Sequence, residues 1–315
     1  MYQCRFCGFE SASIKDFEED FTNHKGYWCP CCDGFTYYET EERSFLLYLE
    51  DKGKEEEYKK VPFPVHCSPL RYPGGKSRLI GTVLGACRED YIESFIEPFA
   101  GGASVGLSLL LAGRIKELYL NDADFGVYSL FCMIQEHPEV LKELISTFIP
   151  SKEAYNRCKE IVLSSYKDCT KEEAAWSLLV TNRLAFSGIP FANCMSKPEA
   201  RWNAKTLCNR IDKIHRVAEH IHVSNLDAYS FIEEMYWKPR ATLFIDPPYY
   251  EKGNKLYPCS YTEEDHKKLS FLLDELYKGV PGADMLVTYD LQKEISEMYA
   301  WPEKVVIGRK YSIAN

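Results

Sequence analysis

Apolar positions in this chain come in short runs that alternate between strand-like and helix-like spacing. Tyr91-Ile-Glu-Ser-Phe-Ile-Glu97 reads as a strand ending in an acid. Pro98-Phe-Ala-Gly-Gly-Ala-Ser-Val105 follows, then an apolar helix through Leu111, then the strand Glu117-Leu-Tyr-Leu120 ending in Asn121-Asp122. That succession predicts a βαβ unit. From about Phe125 to Arg216 the spacing turns helical, with Trp176-Ser-Leu-Leu-Val180 apolar and Arg201, Lys205, Arg210, Lys213 and Arg216 recurring at helix-like intervals. A further apolar strand, Ala241-Thr-Leu-Phe-Ile245, runs straight into Asp246-Pro-Pro-Tyr-Tyr250. The pattern predicts an α/β sheet with a helical insertion at about 125–216.

Upstream, Glu39 to Lys60 is dense in charge, including Glu55-Glu56-Glu57, and leads to Val61-Pro-Phe-Pro64. It reads as a hairpin or short helix feeding a proline-stiffened linker, so a domain boundary is expected near residue 65. Residues 1–65 would then be a small module with a charged linker, and 66–315 the main domain.

The length of 315 residues suits two ordinary domains, and 45% hydrophobic with 27% charged residues is close to globular usage. Apolar runs such as Leu107 to Ala112, broken by Ser108, fall short of the ~20 residues that span a bilayer. Met-Tyr-Gln-Cys-Arg-Phe-Cys at the start has no basic stretch followed by an apolar one. A cytoplasmic protein with no membrane partner is expected.

Five of 13 cysteines lie within the first 32 residues. Cys4-Arg-Phe-Cys7 and Cys29-Pro-Cys31-Cys32 are two Cys-x-x-Cys knuckles separated by 21 residues, each followed by a glycine, Gly8 and Gly34. Four thiolates so spaced close a tetrahedron around zinc. The expected ligands are Cys4, Cys7, Cys29 and Cys32, with Cys31 as the substitute and His24 as a surplus candidate. A structural zinc ribbon is favoured over direct DNA reading because the segment is acidic.

The net charge of −9 hides an uneven distribution: residues 141–216 carry 13 basic against 8 acidic groups, and Asn182 to Arg216 seven against two. A local basic patch of this kind suits a polyanion even on an acidic protein.

Gly101 and Gly102 let the backbone approach a ligand at a helix N-terminus, and Asp122, 21 residues beyond Gly101, stands where a carboxylate accepts from ribose hydroxyls. Gly75-Lys76-Ser77 is no phosphate loop, since the glycine required five residues earlier is Leu70. Asp246 and the Pro247 carbonyl can accept both hydrogens of an exocyclic amino group. Pro247 and Pro248 fix that geometry, and Tyr249 offers a face to a planar ring. These bonds favour a pyramidal nitrogen whose lone pair points at an electrophilic methyl group.

With these residues in place, the sequence resembles the Dam-like, S-adenosylmethionine-dependent DNA adenine-N6 methyltransferases, with matching motifs in family order over roughly residues 68–312. Arg71-Tyr-Pro-Gly-Gly-Lys76 resembles the opening cofactor motif and Glu97-Pro-Phe-Ala-Gly-Gly102 the glycine-rich loop. Asn121-Asp122 is similar to the ribose-binding acid, and Asp227-Ala-Tyr229 to the segment holding the cofactor's adenine. Asp246-Pro-Pro-Tyr249 matches the catalytic motif. Thr181-Asn-Arg-Leu-Ala-Phe-Ser-Gly188 resembles, with a one-residue offset, the head of the target-recognition region. Tyr261-Thr-Glu-Glu-Asp-His266 resembles the post-catalytic helix start.

The resemblance implies a Rossmann-like sheet with an inserted helical target-recognition subdomain, to which the zinc module is an addition. It implies cofactor contacts at Tyr72, Lys76, Glu97, Phe99, Gly101, Gly102, Asp122, Asp227, Ala228 and Asp246. DNA contacts are expected at Arg183, Arg201, Lys205 and Arg210, double-stranded DNA is the expected partner, and a monomer is plausible. Relatives continue through a final strand beyond the position of Asn315. Two other readings stand beside adenine-N6 methylation: transfer to another planar amine, cytosine N4 or RNA adenine, and a zinc-dependent DNA-binding protein with a silent methyltransferase core.

Overall fold

In a computed structural model the chain is described over residues 2–3, 7, 9–12, 16–20, 26–32, 35–37, 44–54, 60–71, 76–87, 92–186, 192–238, 240–250, 261–279 and 282–308. Among these residues seven strands form one sheet: β1 Phe45–Asp51, β2 Ser94–Glu97, β3 Glu117–Asn121, β4 Ile221–Ser224, β5 Ala241–Ile245, β6 Asp284–Asp290 and β7 Glu303–Gly308. The order is β7-β1-β6-β5-β2-β3-β4, and every neighbouring pair is parallel. All strands therefore deliver their carboxyl ends to one edge, the edge at which ligands bind in open α/β sheets.

A parallel sheet needs cover on both faces, and two apolar layers supply it. One joins Phe95, Leu118, Leu120, Ile221 and Phe244 to helices α1 Ile80–Ala86, α2 Ser104–Leu111 and α3 Phe125–Glu136. Between α3 and β4 the chain forms α4 Pro138–Thr147, α5 Lys152–Leu163, α6 Lys171–Leu184 and α7 Ala204–His215. The opposite layer joins Ile96, Leu243, Ile245 and Met285 to α8 Ala228–Met235, α9 Glu263–Lys278 and α10 Lys293–Met298.

The helical insertion expected from Phe125 to Arg216 is helical as read, and it is continuous with the sheet. Leu130 and Ile134 of α3 and Leu207, Ile211 and Ile214 of α7 share one core with the strands. Phe148, Trp176 and Trp202 meet edge to face at 4.7–5.8 Å, joining α6 to the segment before α7. Thr170 and Glu173 form a reciprocal capping box that starts α6.

The boundary near residue 65 requires correction. The stretch read as hairpin or short helix contains β1, which lies inside the sheet, Glu50 opposite Asp290 on β6 and opposite Ile307 on β7. Phe45, Leu47 and Leu49 enter one apolar layer and Tyr48 the other. The charges on either side of Phe45-Leu-Leu-Tyr-Leu49 obscured a five-residue apolar run that can be buried on both faces. The main domain thus reaches back to at least residue 45.

Candidate active site

Asp246 follows directly from the buried strand β5, and its carboxylate stands at the carboxyl edge. Oδ1 accepts from Thr288 Oγ1 of β6 at 2.7 Å and lies 2.6 Å from Lys76 Nζ. Lys76 is almost fully buried, donates to the Tyr249 hydroxyl at 3.3 Å, and sits 5.0 Å from the centre of that ring. Tyr249, itself buried, donates in turn to Glu50 Oε2 at 3.4 Å, and Lys76 Nζ is 3.5 Å from Glu50 Oε1. One ammonium thus stands among two carboxylates and a phenol. Lys76, assigned to the cofactor by resemblance, is placed by the structure against Asp246 and Tyr249.

The glycine-rich turn lies at the same edge, after β2. Gly101 has φ 47°, the left-handed region open to glycine, and its N–H donates to Asp122 Oδ2 at 2.7 Å. Asp122 Oδ1 accepts from the Asp124 N–H at 2.9 Å. Burial pushes the Asp122 carboxyl up to about 7, with Asp124 adding to the rise and the two N–H donors opposing it. Glu97 accepts from the Gly106 N–H at 2.6 Å. Burial raises it to about 8, the Gly106 bond opposes that, and the charge of Asp246 adds to it. A Cβ at Gly106 would run into the Leu118 side chain and come within 2.7 Å of the Glu97 carboxylate, which suits glycine at this mid-helix position.

Asp227 caps α8 through Ser230 N at 3.0 Å, leaving Ala228 buried behind it and Leu226 exposed beside it. Asn121 holds this loop, accepting from the Leu226 N–H at 2.8 Å and donating to the Leu226 carbonyl at 3.1 Å. Phe99 meets Tyr261 edge to face at 5.5 Å. An exposed apolar side chain, a carboxyl poised for hydroxyls and a glycine turn in one row fit a nucleoside-bearing cofactor. Tyr72 lies outside the described residues.

Four arginines converge where α6 meets the segment before α1. Burial lowers Arg183 to about 9, and Arg71, Arg210 and Arg201 depress it further by repulsion. The Arg183 Nε atom is buried without a partner. Asn182 locks the cluster by exchanging two hydrogen bonds, at 2.8 and 2.6 Å, with the Arg71 backbone, and Arg210 donates to the Ser68 carbonyl at 2.7 Å. Among the described residues no carboxylate pairs with any of the four. Arg183, Arg201 and Arg210 are thus brought together with Arg71, whereas Lys205 is exposed on α7.

Over residues 72–313 the chain matches the D12 class N6 adenine-specific DNA methyltransferase family. The chain belongs to this family. The methyltransferase is 19% identical to the Type II methyltransferase M.MjaIII of Methanocaldococcus jannaschii over 214 residues, 62% of this chain and 73% of that protein. It is also 33% identical to the Modification methylase StsI of Streptococcus sanguinis over 73 residues, 23% of this chain and 10% of that one. It is therefore a DNA adenine-N6 methyltransferase, an activity that uses S-adenosylmethionine. Among the described residues no helix of the methyltransferase is long and apolar enough to cross a membrane.

Ahead of the sheet, the sulfurs of Cys7, Cys29 and Cys32 lie within 4.8 Å of one another. Cys29 Sγ is 3.7 Å from Cys7 Sγ and accepts from the Cys31 N–H at 3.4 Å. Cys29 packs with Phe17 in a small core flanked by Phe9 and Tyr27. Cys31 and Cys32 are both exposed, and of the two only Cys32 lies in the sulfur cluster. Cys4 and His24 lie outside the described residues.

Three residues of these sites escaped the sequence reading. Glu50 ends an apolar strand in an acid, the same signal that marked Glu97, but neighbouring charge masked it. Thr288 lies in the interior of β6, where nothing local distinguishes it from a structural threonine. Arg71 stands directly before Tyr72 and was read only as part of the cofactor motif.

Proposed function

We propose that the chain flips an adenine from duplex DNA and methylates N6 with Asp246, Pro247, Pro248 and Tyr249 around the flipped base. The observation that carries this reading is Asp246 at the carboxyl edge, one oxygen organised by Thr288 and Lys76. In it the Asp246 carboxylate and the Pro247 carbonyl hold the two amino hydrogens, turning the nitrogen lone pair away from the ring. The cofactor supplies a methyl group already activated on a sulfonium. As the methyl group's bond to sulfur broke, leaving a neutral thioether, and its bond to N6 formed, N6 would gain positive charge beside Asp246, and one amino proton would leave along that carboxylate to solvent. Tyr249 carries the base on its ring face. Gly101, Gly102, Phe99, Asp122, Asp227 and Ala228 cradle the cofactor, and Tyr72 belongs with them by resemblance.

Arg71, Arg183, Arg201 and Arg210 are assigned to the phosphodiester backbone, because a mutually repelling guanidinium cluster with no carboxylate partner among the described residues is relieved by an anion. Lys205 is an outer phosphate contact. Cys4, Cys7, Cys29 and Cys32 are assigned to structural zinc. The 3.7 Å sulfur separation supports this, since four thiolates about 2.3 Å from a tetrahedral zinc stand about 3.8 Å apart. The similarity to a type II methyltransferase and to a modification methylase supports a modification role in a restriction system.

The test is single-turnover transfer of labelled methyl to duplex DNA, hydrolysed to nucleosides, beside cofactor titration by calorimetry. N6-methyl-2′-deoxyadenosine is expected, and Asp246→Ala should lower the rate at least ~100-fold with cofactor affinity little changed. Near-normal turnover in that variant would remove the catalytic assignment.

A further inference from the structure

Glu50 lies outside the segment that matches the family, since residues 72–313 begin well after β1. It reaches the catalytic group for a topological reason. Because β1 runs parallel to β6 and β7, its carboxyl end, and with it Glu50, falls at the edge that carries Asp246 and Asp290. The side chain is completely buried, 3.5 Å from Lys76 Nζ and 3.4 Å from the Tyr249 hydroxyl. A buried carboxylate is strongly unfavourable without a cation beside it, and Lys76 is that cation.

The two carboxylates hold Lys76 unequally. Asp246 takes it at 2.6 Å through Oδ1, the oxygen that also accepts from Thr288, while Glu50 stands 3.5 Å away. An amino group arriving at Asp246 competes with Lys76 for the same carboxylate. A shift of the ammonium by about 1 Å toward Glu50 would weaken its hold on Asp246 and keep a full charge partner. With the Glu50 charge removed, that second position loses its attraction and the ammonium stays on Asp246.

We propose that Glu50 is a positioning residue for methyl transfer: it is the second counter-ion of Lys76, receiving the ammonium as Asp246 turns to the target amino group, and it orients the Tyr249 ring through the phenol. This rests on the reading of Asp246 as the acid that meets the amino group. The strand ahead of the family segment is thereby part of the catalytic apparatus, and the methyltransferase domain acquires an acid that its motif block does not contain.

The test compares Glu50→Gln, which keeps shape and hydrogen bonding but loses charge, with Glu50→Asp, which keeps charge but is shorter. Single-turnover rates of total methyl transfer are read beside cofactor and DNA dissociation constants and melting temperatures. Glu50→Gln should slow transfer roughly 10- to 100-fold with both dissociation constants within about twofold of wild type, and Glu50→Asp should retain more of the rate. In a double-mutant cycle with Lys76→Gln, adding Glu50→Gln should cost little more, since both act through one ammonium. Three results would overturn the assignment: Gln better than Asp, full additivity with Lys76→Gln, or loss of melting temperature and cofactor affinity alongside the rate. If wild-type protein methylates an acceptor other than adenine, the base assignment fails, and the Glu50 comparison is read on that acceptor.

Discussion

Asp122 and Asp246 are both carboxylates at the sheet edge, yet their surroundings prepare them for different work. Two backbone N–H groups hold Asp122, and burial lifts its carboxyl to about 7. Asp246 instead has a buried ammonium at 2.6 Å and a hydroxyl at 2.7 Å. Ribose hydroxyls donate best to an ionised carboxylate, so the bound cofactor favours loss of the Asp122 proton. Cofactor affinity should therefore rise with pH up to about 7, approaching tenfold per pH unit below that value, and level off above it. Calorimetric titration from pH 5.5 to 8 checks this, and Asp122→Asn should bind more weakly with a flattened profile. Glu97 carries the opposite consequence for the fold. Raised to about 8, it binds its proton more tightly in the folded chain, so its contribution to stability is complete in acid and is lost as pH climbs from the ordinary carboxylate range through about 8.

Among the elements, β1 joins the N-terminal segment to the catalytic edge. A truncation that removes residues 1–65, at the boundary expected from sequence, takes out the strand between β6 and β7 together with the buried Phe45, Leu47 and Leu49. At about 1.5–3 kcal/mol for each large apolar side chain, that loss rivals the whole margin of about 5–15 kcal/mol by which a domain is stable. It should yield insoluble protein or one that melts far lower. A truncation that removes residues 1–43 keeps β1 and should retain cofactor binding and a cooperative thermal transition. On the helical side, α6 supplies Arg183 and α7 supplies Arg210, so the arginine cluster depends on how these helices meet. Replacing Arg201, Lys205 and Arg210 together by Ala should weaken DNA binding and reduce the log–log salt slope by about 0.9 for each phosphate no longer neutralised. Titration from 50 to 200 mM salt reads this directly, and an unchanged slope would place the three side chains away from the backbone.

At the scale of the whole molecule, the acidic net charge of −9 and the binding of a polyanion are compatible because the cationic side chains from distant positions, Arg71, Arg183, Arg201 and Arg210, are gathered in one place. The cysteine cluster has its own small core, separate from those of the sheet. Purified protein should carry about one zinc per chain, and Cys29→Ser should abolish that while leaving cofactor affinity near normal, as elemental analysis and calorimetry would show. The main chemical parts were legible in the chain itself because each depends on residues close in sequence: Asp246-Pro-Pro-Tyr249 at a strand end, Gly101 and Gly102 before a helix, and Cys-x-x-Cys spacing. Local physics sets a turn, a cap or an apolar strand, and adjacent residues report it. The membership of β1 in the sheet, the meeting of Glu50, Lys76, Thr288 and Asp246, and the convergence of Arg71 with Arg210 were decided only by tertiary structure. Each joins residues far apart in the chain, and the burial that makes Glu50 a counter-ion and Arg183 a cation held among other cations exists only once the sheet and its helical layers have closed around them.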